Sequence, residues 1–222
     1  MVVAVDQAIS AKIFPGNGPV DDPVRFLLRK GATESALLRG DSTEILRRLP
    51  RNTFQTCITS PPYWSLRDYG IPGQIGLEES VSDYIKNLVK IFRNVRRVLR
   101  QDGTLRLNIG DSFTSGGRTW RAPDKKNPIR EMSFRPPTPT GLKPKDLIGV
   151  PWRLALALQK SGWYLRTEIV WHKPNCQPES VRDRPTRSHE YVFLLTKNEK
   201  VQVQSKRDTR AQPPELKNCL GH

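Results

Sequence analysis

Cysteine is nearly absent. Cys57, Cys176 and Cys219 are scattered without a C-x-x-C pair, which supports neither a disulfide framework nor a zinc site and fits reduced thiols in a cytoplasmic protein. Histidine is as rare, with three residues in 222, and no metal site is expected. Long apolar runs are missing too. None approaches the roughly 20 residues that cross a bilayer, so no membrane partner is expected. The N-terminus shows neither a basic n-region nor an apolar h-region, which argues against a secretory signal. Acidic residues are few beside the basic ones: 22 Asp and Glu against 37 Lys and Arg, a formal +15 and a pI near 10.1. That excess implies a polyanionic partner, of which nucleic acid is the commonest. Charge alone does not separate DNA from RNA or an anionic membrane. With 36% hydrophobic and 27% charged residues, the rest reads as one globular domain with a sizeable core.

Three segments are expected. Residues 1–36 carry little periodicity and are punctuated by Pro15-Gly16-Asn17-Gly18-Pro19 and Asp22-Pro23, which reads as an N-terminal arm. Residues 37–197 carry the organised pattern, and 198–222 form a polar, basic tail. Within the middle segment, Asp41 or Ser42 is placed to cap a short helix with Ile45, Leu46 and Leu49 on one side. Phe54–Thr59 reads as a strand cut off by Pro61-Pro62. Over 79–100 the apolar positions from Val81 to Leu99 fall at the 3–4 spacing of an amphipathic helix. Gln101-Asp102-Gly103 reads as a turn, Thr104–Ile109 as a strand, and 150–161 as a helix with Pro151 in its first turn. Tyr164–Trp171 and His189–Thr196 complete the strands. The 114–146 stretch, rich in Gly, Pro, Arg and Lys, is long for an ordinary connection. Strands alternating with helices predict an α/β fold with a doubly wound, mostly parallel sheet. Such sheets bind ligands beyond the carboxyl ends of their strands. Thr59-Ser60-Pro61-Pro62-Tyr63 and Gly110-Asp111-Ser112 both stand at ends of that kind.

The run Thr59-Ser60-Pro61-Pro62-Tyr63-Trp64 resembles the catalytic tetrapeptide of DNA amino-methyltransferases in its Ser-Pro-Pro-Tyr form. The likeness extends through Gly40-Asp41-Ser42, Trp64 to Gly70, Asp102-Gly103-Thr104-Leu105, Asn108-Ile109-Gly110-Asp111-Ser112, Gly141 to Val150, Trp171 to Asn175, Pro178 to Val181, Arg182 to Thr186, and His189-Glu190-Tyr191. It covers roughly residues 37–197. This resemblance to the beta class of the N-4/N-6 DNA methylases implies a Rossmann-like fold, S-adenosylmethionine as methyl donor and double-stranded DNA as substrate. The serine form is associated with the N4 amine of cytosine, Asp or Asn in its place with the N6 amine of adenine. Adenine methylation and a catalytically silent DNA-binding fragment are the alternatives.

Methylating such an amine has a clear physical requirement. Its lone pair is delocalised into the ring, and two acceptors aimed at its hydrogens localise it on nitrogen. Ser60 offers a hydroxyl and Pro61 a carbonyl, Pro62 stiffens the backbone, and Tyr63 can stack on a base swung out of the duplex. Positioning and electrostatics then do most of the work. The resemblance puts Asp41, Thr59 and Ser60 near the cofactor, although Asp41 is equally well read as a helix cap. Arg67, Lys173, Arg182, Arg184 and Arg187 are the candidate DNA contacts. The basic loop from Arg182 to Arg187 is read as phosphate-contacting, or else as a solvated face in which Asp183 pairs internally. Asp111 is read as orienting a neighbouring loop and His189 as a packing residue.

The class implies one further element, an Asp-Pro-Phe-x-Gly-Ser-Gly-like cofactor loop after a linker. No such segment follows Thr196. The sheet is therefore expected to be incomplete and the chain alone to hold the donor weakly. A complementary chain carrying that half, or a restriction endonuclease, is the expected protein partner.

Overall fold

The computed structural model describes residues 11–15, 35–114, 120, 122, 132, 134–176 and 181–201. Most of the expected arm, the Gly16–Gly18 turn, the 178–180 segment and the tail beyond 201 lie outside the described residues.

Strands β1 (Ala11–Pro15) and β2 (Ser35–Arg39) pair in parallel with each other. The expected arm thus contributes one strand and begins another, which five-residue runs without strong alternation do not announce. Helix α1 (Ser42–Arg48) follows. Asp41 is its cap: Oδ1 accepts from the Thr43 and Glu44 backbone N–H groups at 2.9 and 3.0 Å. Ile45, Leu46 and Leu49 are buried, as the spacing predicts.

Strand β3 (Phe54–Thr59) leads through helix α2 (Val81–Val98) to strand β4 (Leu99–Ile109). Ser80 Oγ accepts from the Asp83 backbone N–H at 3.1 Å and starts α2. Val81, Tyr84, Leu88, Phe92, Val95 and Val98 form its buried stripe. The expected turn at Gln101–Gly103 is instead part of β4. The register jumps from Phe54 opposite Leu99 to Thr56 opposite Thr104, so Arg100–Gly103 bulge out of the pairing with β3, and Gly103 allows the close approach this needs. A Cβ there would stand 2.9 Å from both the Arg100 carbonyl oxygen and the Leu99 Cβ.

Helix α3 (Val150–Lys160) then leads to β5 (Tyr164–His172), and β6 (His189–Thr196) returns. The strand order is β3-β4-β6-β5. β3 and β4 are parallel, and β6 pairs antiparallel with both β4 and β5. Three of these strands therefore run one way, with β6 inserted against them, and the described residues between β5 and β6 contain no crossover helix. The α/β Rossmann-like expectation holds with that reversed strand. Both crossover helices, α2 and α3, contact each other and cover one face, over Cys57, Leu105, Leu107, Ile109, Phe193 and Leu195. On the other face β3 is open, with Ile58 62% exposed. No helix among the described residues is long and apolar enough to cross a membrane.

Candidate active site at the carboxyl ends of β3 and β4

Side-by-side parallel strands bring the two expected strand ends together. Thr59 stands in register with Leu107, so the chain leaves β3 at Ser60 beside the Asn108–Gly110 end of β4. Tyr63 locks the two. Its ring lies against Gly110, where a Cβ would stand 2.6 Å from Cε2 and 3.0 Å from Cδ2. Only glycine leaves room for the ring. The Tyr63 hydroxyl reaches Asn108 Oδ1 at 2.6 Å and Glu190 Oε2 at 2.9 Å. Asn108 Nδ2 donates to the same Glu190 oxygen at 3.2 Å. Lys173 pairs with the other carboxylate oxygen of Glu190. Burial, together with the adjacent Glu190 charge, pushes the Tyr63 phenol far above its ordinary range. Tyr63 is thus a neutral donor whose one proton is spent inward, not a base.

Two further bonds shape the loop. Tyr84 donates from its hydroxyl to the Pro62 carbonyl at 2.8 Å. No donor among the described residues reaches the Pro61 carbonyl. Ser60 is exposed, and its hydroxyl lies 3.4 Å from the Tyr63 oxygen, long for such a bond. Since the Tyr63 hydroxyl donates to Asn108 and Glu190, Ser60 is the donor in that contact and does not use its lone pairs there. Past Tyr63 the chain turns sharply. Ser65 sits at φ 57°, its N–H held by the Gly76 carbonyl at 2.8 Å, and Trp64 is buried with its indole N–H on the Glu78 carbonyl at 3.0 Å.

Asp111 organises the next layer. Its side chain is 2% exposed. Oδ1 accepts from the backbone N–H groups of Ser112, Gly149 and Val150 at 2.9, 3.0 and 2.9 Å, while Oδ2 faces Arg187 at 3.5 Å. It therefore ties the end of β4 to the start of α3, the orienting role read for it. His189 packs edge-on to Tyr191.

The expected DNA contacts separate into two kinds. Arg67 and Arg182 are exposed. Arg184 lies over the Phe113 ring at 3.6 Å, and both Arg182 and Arg184 border a cavity of about 600 Å³ with Phe113 and Lys145. Lys173 and Arg187 are instead committed inward, to Glu190 and Asp111. Asp183 pairs with Lys145 at 2.5 Å. Asp41 serves α1 and makes no hydrogen bond to the Ser60 loop, and Thr59 is half-buried at the β3 end. Asn108, Glu190, Tyr84 and Gly110 had no assigned role from sequence. A lone Asn between Leu107 and Ile109 in an apolar strand was the available signal.

Comparison with known proteins gives this arrangement a lineage. The model of a DNA methylase family matches residues 54–218. The chain belongs to that DNA methylase family. Methylases of this family take their methyl group from S-adenosylmethionine. The chain is 64% identical over 179 residues to the Type II methyltransferase M.SmaI of Serratia marcescens, across 81% of this chain and 61% of that protein. To M.Cfr9I of Citrobacter freundii it is 64% identical over 170 residues, covering 77% and 56% respectively. It thus spans about three-fifths of the length of these relatives. Among solved structures, a PvuII DNA methyltransferase, cytosine-N4-specific, aligns with TM-score 0.49 at 15% identity, over 72% of this chain and 48% of that chain.

Proposed function

We propose that this methylase is a site-specific DNA methyltransferase that moves a methyl group from S-adenosylmethionine to the N4 amine of a cytosine swung out of duplex DNA. One observation carries the reading. At the end of β3 stand an exposed Ser60 and, next to it, a Pro61 carbonyl that no donor among the described residues reaches, while the neighbouring Pro62 carbonyl is occupied by Tyr84. Two adjacent acceptors are what an exocyclic amine requires. Asn108 and Glu190 hold the Tyr63 hydroxyl inward, which fixes the ring against which the base stacks. Arg67, Arg182 and Arg184 are the phosphate contacts in this reading, and Thr59 and Ser60 border the donor.

Nucleoside analysis of treated DNA tests the reading, with the chain assayed alone and completed by the part of M.SmaI outside the match. N4-methylcytosine is expected; N6-methyladenine alone would transfer the assignment to adenine. Ser60→Ala is expected to lower turnover roughly 100- to 1,000-fold, the usual loss for one positioned transition-state contact. Undiminished turnover would remove Ser60 from the mechanism.

A further inference from the structure

At the opposite end of the sheet lies a cavity of about 400 Å³ bordered by Arg51, Asn52, Arg93, Arg96, Arg97, Gln101, Ser161 and Lys197. Five of its lining residues are cations and none is an acid. The run of β3 separates this cavity from Ser60 by roughly 20 Å, at about 3.3 Å per residue.

Lys197 is built into the cavity wall. It is 8% exposed, and its ammonium donates to Asn52 Oδ1 at 2.8 Å and to the Leu99 carbonyl at 2.7 Å. Its third N–H has no acceptor among the described residues. Asn52, at φ 55°, is anchored by its N–H to the Arg97 carbonyl at 3.2 Å, which fixes Arg51 beside the opening. Arg97 spends one nitrogen on the Leu46, Arg47 and Leu49 carbonyls at the end of α1, favourable at a helix C-terminus. Arg96 donates to the Lys197 carbonyl at 3.1 Å, and its Nε is buried without an acceptor among the described residues. Arg51 and Arg93 form no ion pair among the described residues. The nearby Asp102 carboxylate is taken by Arg100. Burial, with Arg96 and Arg51 close by, holds the Lys197 ammonium below its ordinary range. A like-charge cluster of this kind is repulsive until an anion enters it.

We propose that this cavity binds a phosphate-bearing anion, through Lys197, Arg51 and Arg93, at a site separate from the Ser60 centre. Phosphate suits it because one tetrahedral dianion can accept from an ammonium and from arginine forks together. The source is either a free phosphorylated compound or the backbone of nucleic acid lying across this face.

Calorimetric titration of pyrophosphate into the full chain, at constant ionic strength, tests the site. Saturable binding near one equivalent is expected. The exposed double variant Arg51→Glu, Arg93→Glu should weaken it at least tenfold with an unchanged circular dichroism spectrum. Arg51→Gln, milder for the fold, should weaken it severalfold. Ser60→Ala should leave it unchanged, which keeps this test separate from that of the methyl-transfer reading. Uptake that does not saturate, or that the arginine variants leave intact, would overturn the proposal. Adding a short duplex to the pyrophosphate-loaded chain then separates the sources. Displacement places backbone phosphate in the cavity, and retention indicates a free phosphate compound.

Discussion

The two ends of the β3-β4-β6 sheet are built with opposite electrostatics. At the Ser60 end, inward cations meet carboxylates: Lys173 meets Glu190, and Arg187 meets Asp111. Among the described residues lining the Lys197 cavity, Lys197, Arg96 and Arg97 meet carbonyl oxygens, Arg51 and Arg93 form no ion pair, and no acid borders the cavity. The first arrangement is neutralised and rigid, suited to holding side chains for chemistry. The second keeps its charge for something outside. A count of Lys and Arg cannot distinguish them, because the formal +15 does not say which cations meet a carboxylate.

The largest expected effect comes from breaking the neutralised end. Asp111→Ala removes the acceptor of three backbone N–H groups and leaves Arg187 facing an empty space. Removing one partner of a buried pair typically costs about 3–5 kcal/mol. Urea unfolding should show that loss. Arg93→Ala at the other end should stay within about 0.5 kcal/mol, as exposed, unpaired positions do. Equal losses from the two variants would abolish the contrast between the ends.

A smaller loss is expected at Gly110. In Gly110→Ala the new methyl must displace the Tyr63 ring, from which it would stand 2.6 Å at Cε2. Overpacking of this kind costs about 1–3 kcal/mol. Because the ring carries the hydroxyl bonded to Asn108 and Glu190, turnover should fall further than stability alone accounts for. Gly110→Ala with wild-type stability would mean that Tyr63 moves freely, and the locked site would no longer hold.

Much of this frame is legible in the chain itself. Asp41 ahead of Ile45, Leu46 and Leu49, the stripe of α2, and the proline stop after Thr59 are local signals, and each appears where it was read. What escapes is decided by partners distant in sequence. Glu190 is 127 residues from Tyr63, and nothing in His189-Glu190-Tyr191 says that one carboxylate will gather a tyrosine, an asparagine and a lysine. Gln101–Gly103 falls within β4 for the same kind of reason: pairing of Leu99 and of Thr104 with β3 on either side encloses three turn-forming residues that have no partner in β3 themselves. Among the described residues β1 and β2 form a two-stranded sheet of their own, and little in either five-residue run marks it as a strand. The basic loop is the most instructive case. Arg182 and Arg187 look alike in sequence, yet one is exposed and the other faces a buried carboxylate.

That last difference gives the smallest and most discriminating prediction. Each protein cation that neutralises a DNA phosphate releases counterions, so log affinity falls with log salt by a slope of about 0.9 per contact. If Arg182 contacts the duplex, Arg182→Ala should flatten that slope by about one unit and weaken binding alike on every sequence. Its stability should be unchanged, since it is exposed. Arg187→Ala should do the reverse. Its charge is already balanced by Asp111 and its guanidinium stands beside the Tyr191 ring at 5.8 Å. The slope should therefore remain within error while urea unfolding shifts to lower denaturant. Filter binding of one duplex across a salt series, run beside the unfolding curves, gives both readouts. A flattened slope in Arg187→Ala with stability intact would show that Arg187 leaves Asp111 to take a phosphate. The carboxylates at the Ser60 end would then be holding cations in reserve for DNA, and the electrostatic contrast between the two ends would describe only the unbound protein.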